Sequence, residues 1–480
     1  MAINAEYPPR ELFVDGQWLG GENRERIPVI DPATEAVIGE IPKATPDDIG
    51  RAIEAAGRAY SPWRAASAFE RSRVIERAAD LIRARAAHIA NILTLEQGKP
   101  LRESLAEVAS AADMLEWYAE EGRRTYGRII PSRRARTRMM VVVEPVGPVA
   151  GFAGMNAPAQ TPARKSGGAL AAGCTIVLKP SEETPATALL IARAFQDAGL
   201  PDGVLNIVFG DAEQISRHLL ESDEIRKITF TGSTSIGRQL AADAALRLKP
   251  ATLELGGHAP VLVFDDADVE EVAKSAVAAK FRNSGQICTS PTRFYIQDVV
   301  YEQFVNRFVD IARNWRVGNG LDDTTQMGPC ANSRRIDAMR ELVENAVRLG
   351  GTVLAGGSRL LRSGYFFEPT VLEDVPDAAA VMNEEPFGPL AVMRRFADFD
   401  EAVRLANATP FGLASYVFTK SLNRATEVSD RIRAGNVMLN NWTASTPETP
   451  FGGVLDSGQG SEGGIEGLQA FLVTKFIHQA

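Results

Sequence analysis

The stretch 281-FRNSGQICTS-290 places Cys288 after a short glycine-containing turn, with Arg282 and Asn283 just before it. A thiol with a pKa of about 8.5 is mostly protonated at neutral pH, so a nucleophilic thiolate needs a nearby positive charge, a helix start or a base. The local sequence offers Arg282 and no histidine. A free cysteine reads equally well as a small buried hydrophobe. In 253-LELGGHAP-260, Glu254 precedes Gly256 and Gly257, which let backbone and a ligand pass close to the carboxylate. Asn156, in 151-GFAGMNAP-158, is either a turn residue or an amide able to hold an oxyanion. Thiol, carboxylate and amide are together a set for covalent attack on a carbonyl. They lie far apart in the chain, so only the fold can bring them together.

Two further stretches have the chemistry of a nucleotide site. The segment 228-ITFTGSTSIGRQL-240 reads as strand, turn and helix. Gly232 permits close approach to a ligand, Ser233 is placed to cap the helix, and the helix start favours a phosphate. The spacing from Gly232 to Gly237 is not the G-x-G-x-x-G of a standard dinucleotide fold, and an ordinary strand–helix turn reads the same way. A second predicted strand ends in 179-KPSE-182. There Lys179 can bond a ribose, and Glu182 can accept both ribose hydroxyls of NAD while repelling the extra phosphate of NADP. Both also read as solvated residues at a strand end.

The elements that must position these groups follow from pattern. The segment 12-LFVDGQW-18 predicts a hairpin around Asp-Gly. Thr45 to Asp48, and Ser67 with Glu70, are helix-start signatures. Ile49, Ala52, Ile53 and Ala56, then Val74, Ala78, Leu81 and Ile82, repeat with helical spacing and predict core faces. From about residue 141, short apolar runs bounded by Gly and Pro alternate with helical segments: VVVEPVGPVAGF, 175-TIVLKP-180, 204-VLNIVFG-210 and 227-KITFTGS-233. A second series follows Gly257: 260-PVLVF-264, 293-RFYIQ-297, 415-SYVFT-419 and 436-NVMLN-440. This texture predicts two α/β domains with parallel sheets.

The 480 residues are long enough for two or three domains, and 45% apolar with 24% charged is ordinary for a globular chain. A net charge of −9 argues against a nucleic-acid partner. The basic run 133-RRARTR-138 reads as a solvated strand or subunit contact. The segment MAINAEYPPRELFVDG lacks the basic-then-apolar order of a signal peptide, and no apolar run approaches about 18 residues, so no membrane span is expected. The three cysteines form no C-x-x-C pair, and the four histidines make no zinc-type spacing with them. The expectation is a cytoplasmic protein without a structural metal and without a membrane partner.

The ordered set LEQGKPL (95–101), EPVGPV (144–149), AGCTIVLKPSEETP (172–185), GLPDGVLNIVFG (199–210), FTGSTSIG (230–237), LELGGHAP, FRNSGQICTS, NEEPFGP (383–389) and PFGGVLDSGQGSEGG (450–464) resembles the NAD(P)-dependent aldehyde dehydrogenase superfamily over nearly the whole chain. The resemblance implies an aldehyde dehydrogenase-like α/β fold with two parallel-sheet domains and a small β oligomerisation arm. It implies an NAD-binding domain from 1–123 and 144–256, a catalytic domain from 257–450, and an arm from 124–143 and 466–480. It further implies that Cys288 is the nucleophile, Glu254 the general base and Asn156 the oxyanion holder. By the same match Lys179 and Glu182 contact the ribose, Gly232 and Ser233 the pyrophosphate, and Glu385 and Phe387 the nicotinamide half of NAD, with NADP a possible second cofactor.

Within that family the chain is similar to the succinate-semialdehyde dehydrogenases. Arg164 and Arg282 match arginines that grip a substrate carboxylate, and Ser445 or Thr446 would add a hydroxyl. An aldehyde carrying a carboxylate is the expected substrate, with a bulkier aromatic or sulfonated aldehyde as the alternative. A non-catalytic binding or structural protein of the same fold is the reading from another class. One departure stands out: the family's Pro-Trp-Asn-Phe-Pro is here Gly154-Met155-Asn156-Ala157-Pro158, which predicts a looser loop or a larger pocket. Ser290 replaces the second cysteine of some relatives, so no redox-switch disulfide is expected. A homodimer or homotetramer is implied.

Overall fold

The computed structural model describes residue 7, residues 11–21 and residues 24–480. Three sheets of three or more strands organise the described residues, beside two two-stranded pairs, Arg26–Ile30 with Val37–Pro42 and Phe411–Gly412 with Val454–Leu455. The first has eight strands in the order Gln17–Leu19, Leu12–Val14, Leu205–Ile207, Ile176–Lys179, Val149–Phe152, Lys227–Thr231, Ala251–Glu254 and Gly458–Gln459. Its five central strands, from Leu205–Ile207 to Ala251–Glu254, run parallel. The second has seven strands in the order Thr352–Ala355, Thr370–Glu373, Leu390–Phe396, Pro291–Gln297, Ala259–Val263, Ala414–Phe418 and Asn436–Leu439, parallel except for the first. The third is a small antiparallel sheet of Leu472–Gln479, Arg138–Pro145 and Arg128–Ile130.

Local chemistry explains where the elements begin. Asp15 and Gly16 both take positive φ in the turn of the predicted hairpin, as a two-residue hairpin turn requires. Thr45 and Asp48, and Ser67 and Glu70, form reciprocal capping boxes at the starts of helices Pro46–Ala65 and Ala68–Ala84. Ile49, Ala52, Ala56, Ala78 and Ile82 are fully buried against the first sheet's core. The run VVVEPVGPVAGF, expected as one strand, is two: Gly147 at φ 129° breaks it, and its halves enter the third and first sheets. The basic run at 133–138 is a connecting turn that only its last residue leaves for the strand Arg138–Pro145. Strands Thr352–Ala355, Thr370–Glu373 and Leu390–Phe396 complete the second sheet, beyond those expected from the apolar runs.

Register places the chemistry. Lys179 pairs with Phe152, Phe152 with Phe230, and Thr231 with Glu254. The carboxyl ends of four parallel strands therefore form one edge, where ligands collect in open α/β sheets. Among the described residues no helix is long and apolar enough to cross a membrane, and no group of three or more His, Cys, Asp or Glu is placed to hold a metal ion.

Candidate active site

Cys288 lies between helix Val269–Phe281 and strand Pro291–Gln297, after a turn in which Asn283, Ser284 and Gly285 all take positive φ. Such backbone is strained for Ser and tolerable for Asn. It is held by Ser284 Oγ, which donates to the Gly328 carbonyl at 2.7 Å, and by Asn283 Nδ2, which donates to the Gln286 carbonyl at 3.2 Å. Gly285 is required: a Cβ there would lie 2.1 Å from the Gly388 carbonyl oxygen. Gly257 is required likewise, since its Cβ would lie 2.2 Å from the Cys288 carbonyl oxygen. The Glu254 segment and the Cys288 segment thus touch through backbone.

The thiol is partly buried and is pushed up to about 12, first by burial, then by the charges of Glu385 and Glu254; Arg164 pulls the other way. Arg282, the local cation of the sequence, is exposed and does not figure in this balance. Cys174 and Cys330 are buried, and burial raises both thiols.

Glu254 is the last residue of its strand, 3% exposed, and neither carboxylate oxygen has a hydrogen-bond partner among the described residues. Burial, then the nearby charge of Glu462, holds its carboxyl well above the usual range. Glu462 is fixed by Lys165, whose Nζ lies 2.7 Å from Glu462 Oε1, and by Thr229 Oγ1, which donates to the same oxygen at 2.9 Å. Burial works to raise Glu462, but the charges of Lys165 and Arg164 outweigh it and keep its carboxyl below the ordinary value. Lys165 and Glu462 carry no signature of their own in the sequence; Lys165 merely follows Arg164, and Glu462 lies within the glycine-rich stretch 450–464.

Asn156 follows strand Val149–Phe152, and its side-chain amide makes no hydrogen bond among the described residues. Its backbone is anchored instead. The Asn156 carbonyl accepts from Lys99 Nζ at 2.7 Å and from Asn283 Nδ2 at 3.1 Å. The loop expected to be looser, or to leave a larger pocket, for want of aromatic side chains is braced at this carbonyl by two hydrogen bonds.

On the neighbouring strand end, Lys179 Nζ lies 2.6 Å from Glu182 Oε1, and that oxygen also accepts the Gly210 N–H at 3.0 Å. Ser233 stands at the N-cap position of helix Thr234–Ala245, but its hydroxyl makes no cap bond and lies 3.3 Å from Ser235 Oγ. The expected Ser233 cap is corrected accordingly: the helix start has no side-chain cap. A Cβ at Gly232 would fill the approach and meet the Phe230 ring at 2.5 Å. An uncapped helix start, a glycine beside it and a paired Lys–Glu at the adjacent strand end fit a dinucleotide. Glu385 Oε1 accepts the Gly257 N–H at 3.0 Å, and burial pushes its carboxyl up to about 7. Phe387, at φ 45°, lies under the Arg335 guanidinium, 6.0 Å from ring centroid to cation.

Arg164, on helix Gln160–Ala172, is 8% exposed and donates from Nη2 to Ser445 Oγ at 3.0 Å. The guanidinium stands 4.9 Å from the Phe451 ring centroid, and its buried Nε has no partner. Arg164 and Ser445 are thus brought together as expected. Arg282 makes no hydrogen bond among the described residues, though its charge reaches the Tyr416 hydroxyl, which donates to the Thr289 carbonyl at 2.7 Å.

The model of the aldehyde dehydrogenase family matches residues 18–477. A putative 4-(hydroxymethyl)benzenesulfonate dehydrogenase of Comamonas testosteroni is 46% identical over 98% of both chains. A glutarate-semialdehyde dehydrogenase of Pseudomonas putida is 42% identical over 98% of this chain and 97% of its own. The crystal structure of succinate-semialdehyde dehydrogenase from Burkholderia pseudomallei superposes with a TM-score of 0.96 at 41% identity over 98% of both chains. Matched over nearly its whole length and sharing this fold, the chain belongs to the aldehyde dehydrogenase family.

Proposed function

We propose that Cys288 is the nucleophile, Glu254 the general base and Asn156 the oxyanion donor in oxidation of an aldehyde that carries a second, anionic group. Cys288 Sγ attacks the carbonyl carbon, and its proton passes to solvent or to ionised Glu254. The new S–C bond places charge on oxygen, where Asn156 Nδ2 and the Cys288 N–H receive it. Bound NAD supplies the hydride acceptor. The carbonyl re-forms as a thioester on Cys288. Glu254 then takes a proton from water, the resulting hydroxide attacks the thioester carbon, and the S–C bond breaks to release the carboxylate. Lys179 and Glu182 would hold the adenosine ribose, Gly232 and Ser233 the pyrophosphate, and Glu385 and Phe387 the nicotinamide half. Glu182 favours NAD over NADP.

The observation that carries the substrate reading is Arg164: a buried cation whose Nε has no partner and whose Nη2 donates to the Ser445 hydroxyl, with Glu462 and Glu254 near enough to feel its charge but not hydrogen-bonded to it among the described residues. Such a group answers to an anion. The named substrates of the three relatives, an arenesulfonate and two dicarboxylic semialdehydes, all carry one. An aromatic version is the second reading, favoured by the small residues Gly154 and Ala157 beside Asn156. Comparing kcat/KM for succinate semialdehyde, glutarate semialdehyde, 4-formylbenzenesulfonate, benzaldehyde and propanal tests both. A preference for the neutral aldehydes contradicts the role of Arg164.

The first sheet with its helices would serve as the NAD-binding domain and the second as the catalytic domain. The third sheet, with Ile129, Val473 and Phe476 exposed, would serve a homodimer or homotetramer, which light scattering reads directly. A cytoplasmic site accords with three unpaired thiols.

A further inference from the structure

The geometry points to Lys99 and Asn283 as positioning residues that hold the oxyanion donor Asn156 in place through its backbone. This rests on the proposed role of Asn156. The side chain of Asn156 has no internal partner, so its direction is set by the peptide that carries it. That peptide is unusual in its anchorage. Its carbonyl oxygen accepts two donors, Lys99 Nζ at 2.7 Å and Asn283 Nδ2 at 3.1 Å.

The lysine is itself fixed. Lys99 is 5% exposed, and its ammonium lies 2.5 Å from Glu107 Oε2. The other oxygen of Glu107 accepts the N–H groups of Ala159 at 2.8 Å and Gln160 at 3.3 Å. One buried ion pair therefore grips both sides of the loop: the carbonyl of Asn156 and the first amides of helix Gln160–Ala172, which carries Arg164 and Lys165. Glu107 acts as the cap that this helix lacks from its own sequence, for Ala159 gives no side-chain cap.

Asn283 ties the same carbonyl to the nucleophile segment. Its backbone N–H donates to Glu103 Oε2 at 2.8 Å, its φ is 49°, and its Nδ2 reaches both the Asn156 and the Gln286 carbonyls. Cys288 and Asn156 are thus referenced to each other through one amide. In a loop of Gly154, Met155 and Ala157, which carries no aromatic side chain, an ion pair and hydrogen bonds supply the anchorage. A shift of about 1 Å in a reacting group can lower a rate about a hundredfold, so the clamp acts on turnover and not on substrate affinity.

The test is a double-mutant cycle on turnover, with Asn283→Gly as the first variant. Glycine keeps the positive φ and leaves the Lys99–Glu107 pair intact, but it also removes the Nδ2 bond to the Gln286 carbonyl, so a thermal melt checks the fold and the cycle with Asn156→Ala separates the two losses. Lys99→Met is the second. Each is made alone and together with Asn156→Ala. Asn283→Gly is expected to lower kcat about tenfold, with the dissociation constant for NAD and the KM for aldehyde changed less than about twofold. In the Asn156→Ala background the same change lowers kcat further by less than about twofold, because the donor being positioned is gone. Full activity of Asn283→Gly, or an equal tenfold loss on top of Asn156→Ala, overturns the clamp. Should Lys99→Met not fold, the Asn283→Gly cycle decides alone. Full activity of Asn156→Ala by itself would instead refute the oxyanion role on which the clamp depends.

Discussion

Lys165 and Glu462 form a buried ion pair of 2.7 Å across 297 residues of sequence. Because Lys165 and Arg164 keep Glu462 ionised, its charge stands beside Glu254 and raises that carboxyl. A base so placed is a stronger proton acceptor once ionised. Glu462→Gln removes a like charge beside Glu254, and this lowers the Glu254 pKa. The acid limb of thioester hydrolysis should move to lower pH, as followed by single-turnover deacylation across pH. A limb that moves to higher pH contradicts this electrostatic arrangement.

The same reasoning governs the thiol. With its pKa pushed up to about 12, alkylation of cofactor-free protein by iodoacetamide should climb about tenfold per pH unit through about pH 10 without levelling. Glu385 is the largest charge acting against the thiolate. Glu385→Gln should therefore speed alkylation at fixed pH while slowing hydride transfer. A plateau near pH 8.5, roughly the unperturbed thiol value, would show that burial does not control Cys288.

Arg164→Met should raise KM for the anionic aldehydes about thirtyfold, since truncating a buried charge partner costs about 2 kcal/mol or more. Steady-state constants for propanal should change little. Ser445→Ala should give a smaller effect of the same sign, as only one hydrogen bond to Nη2 is lost.

Glu182 offers a separate handle. Its Oε1 is held by Lys179 and the Gly210 N–H, which fixes the carboxylate at the strand end proposed to take the ribose. Glu182→Ala should raise the NADP-to-NAD ratio of kcat/KM about fivefold or more by removing charge repulsion. An unchanged ratio removes Glu182 from cofactor choice.

What could be read beforehand was local. Gly257 announces close packing because no side chain fits against the Cys288 carbonyl, and Thr45 with Asp48 announces a helix start because the bond spans three residues. Arg164 and Ser445 were legible only through resemblance. Lys165 with Glu462, and Lys99 with Asn156, were not legible, because a Lys, Glu or carbonyl in isolation is an ordinary solvated group until tertiary contacts bury it. Ser233 shows the converse: a good N-cap residue at the N-cap position leaves its helix uncapped, its hydroxyl lying against Ser235 Oγ instead. Likewise the apolar run 141–152 looked continuous, and one glycine at positive φ divided it between two sheets.

The measurement closest to the central claim is intact and peptide mass spectrometry of Glu254→Gln after mixing with NAD and an anionic aldehyde. Without the base, acylation should outrun hydrolysis. The account predicts one equivalent of reduced cofactor per site and an adduct on Cys288 equal to the aldehyde less two hydrogens. Reduced cofactor produced continuously at the unsubstituted rate, or an acyl group found on any residue but Cys288, would contradict it.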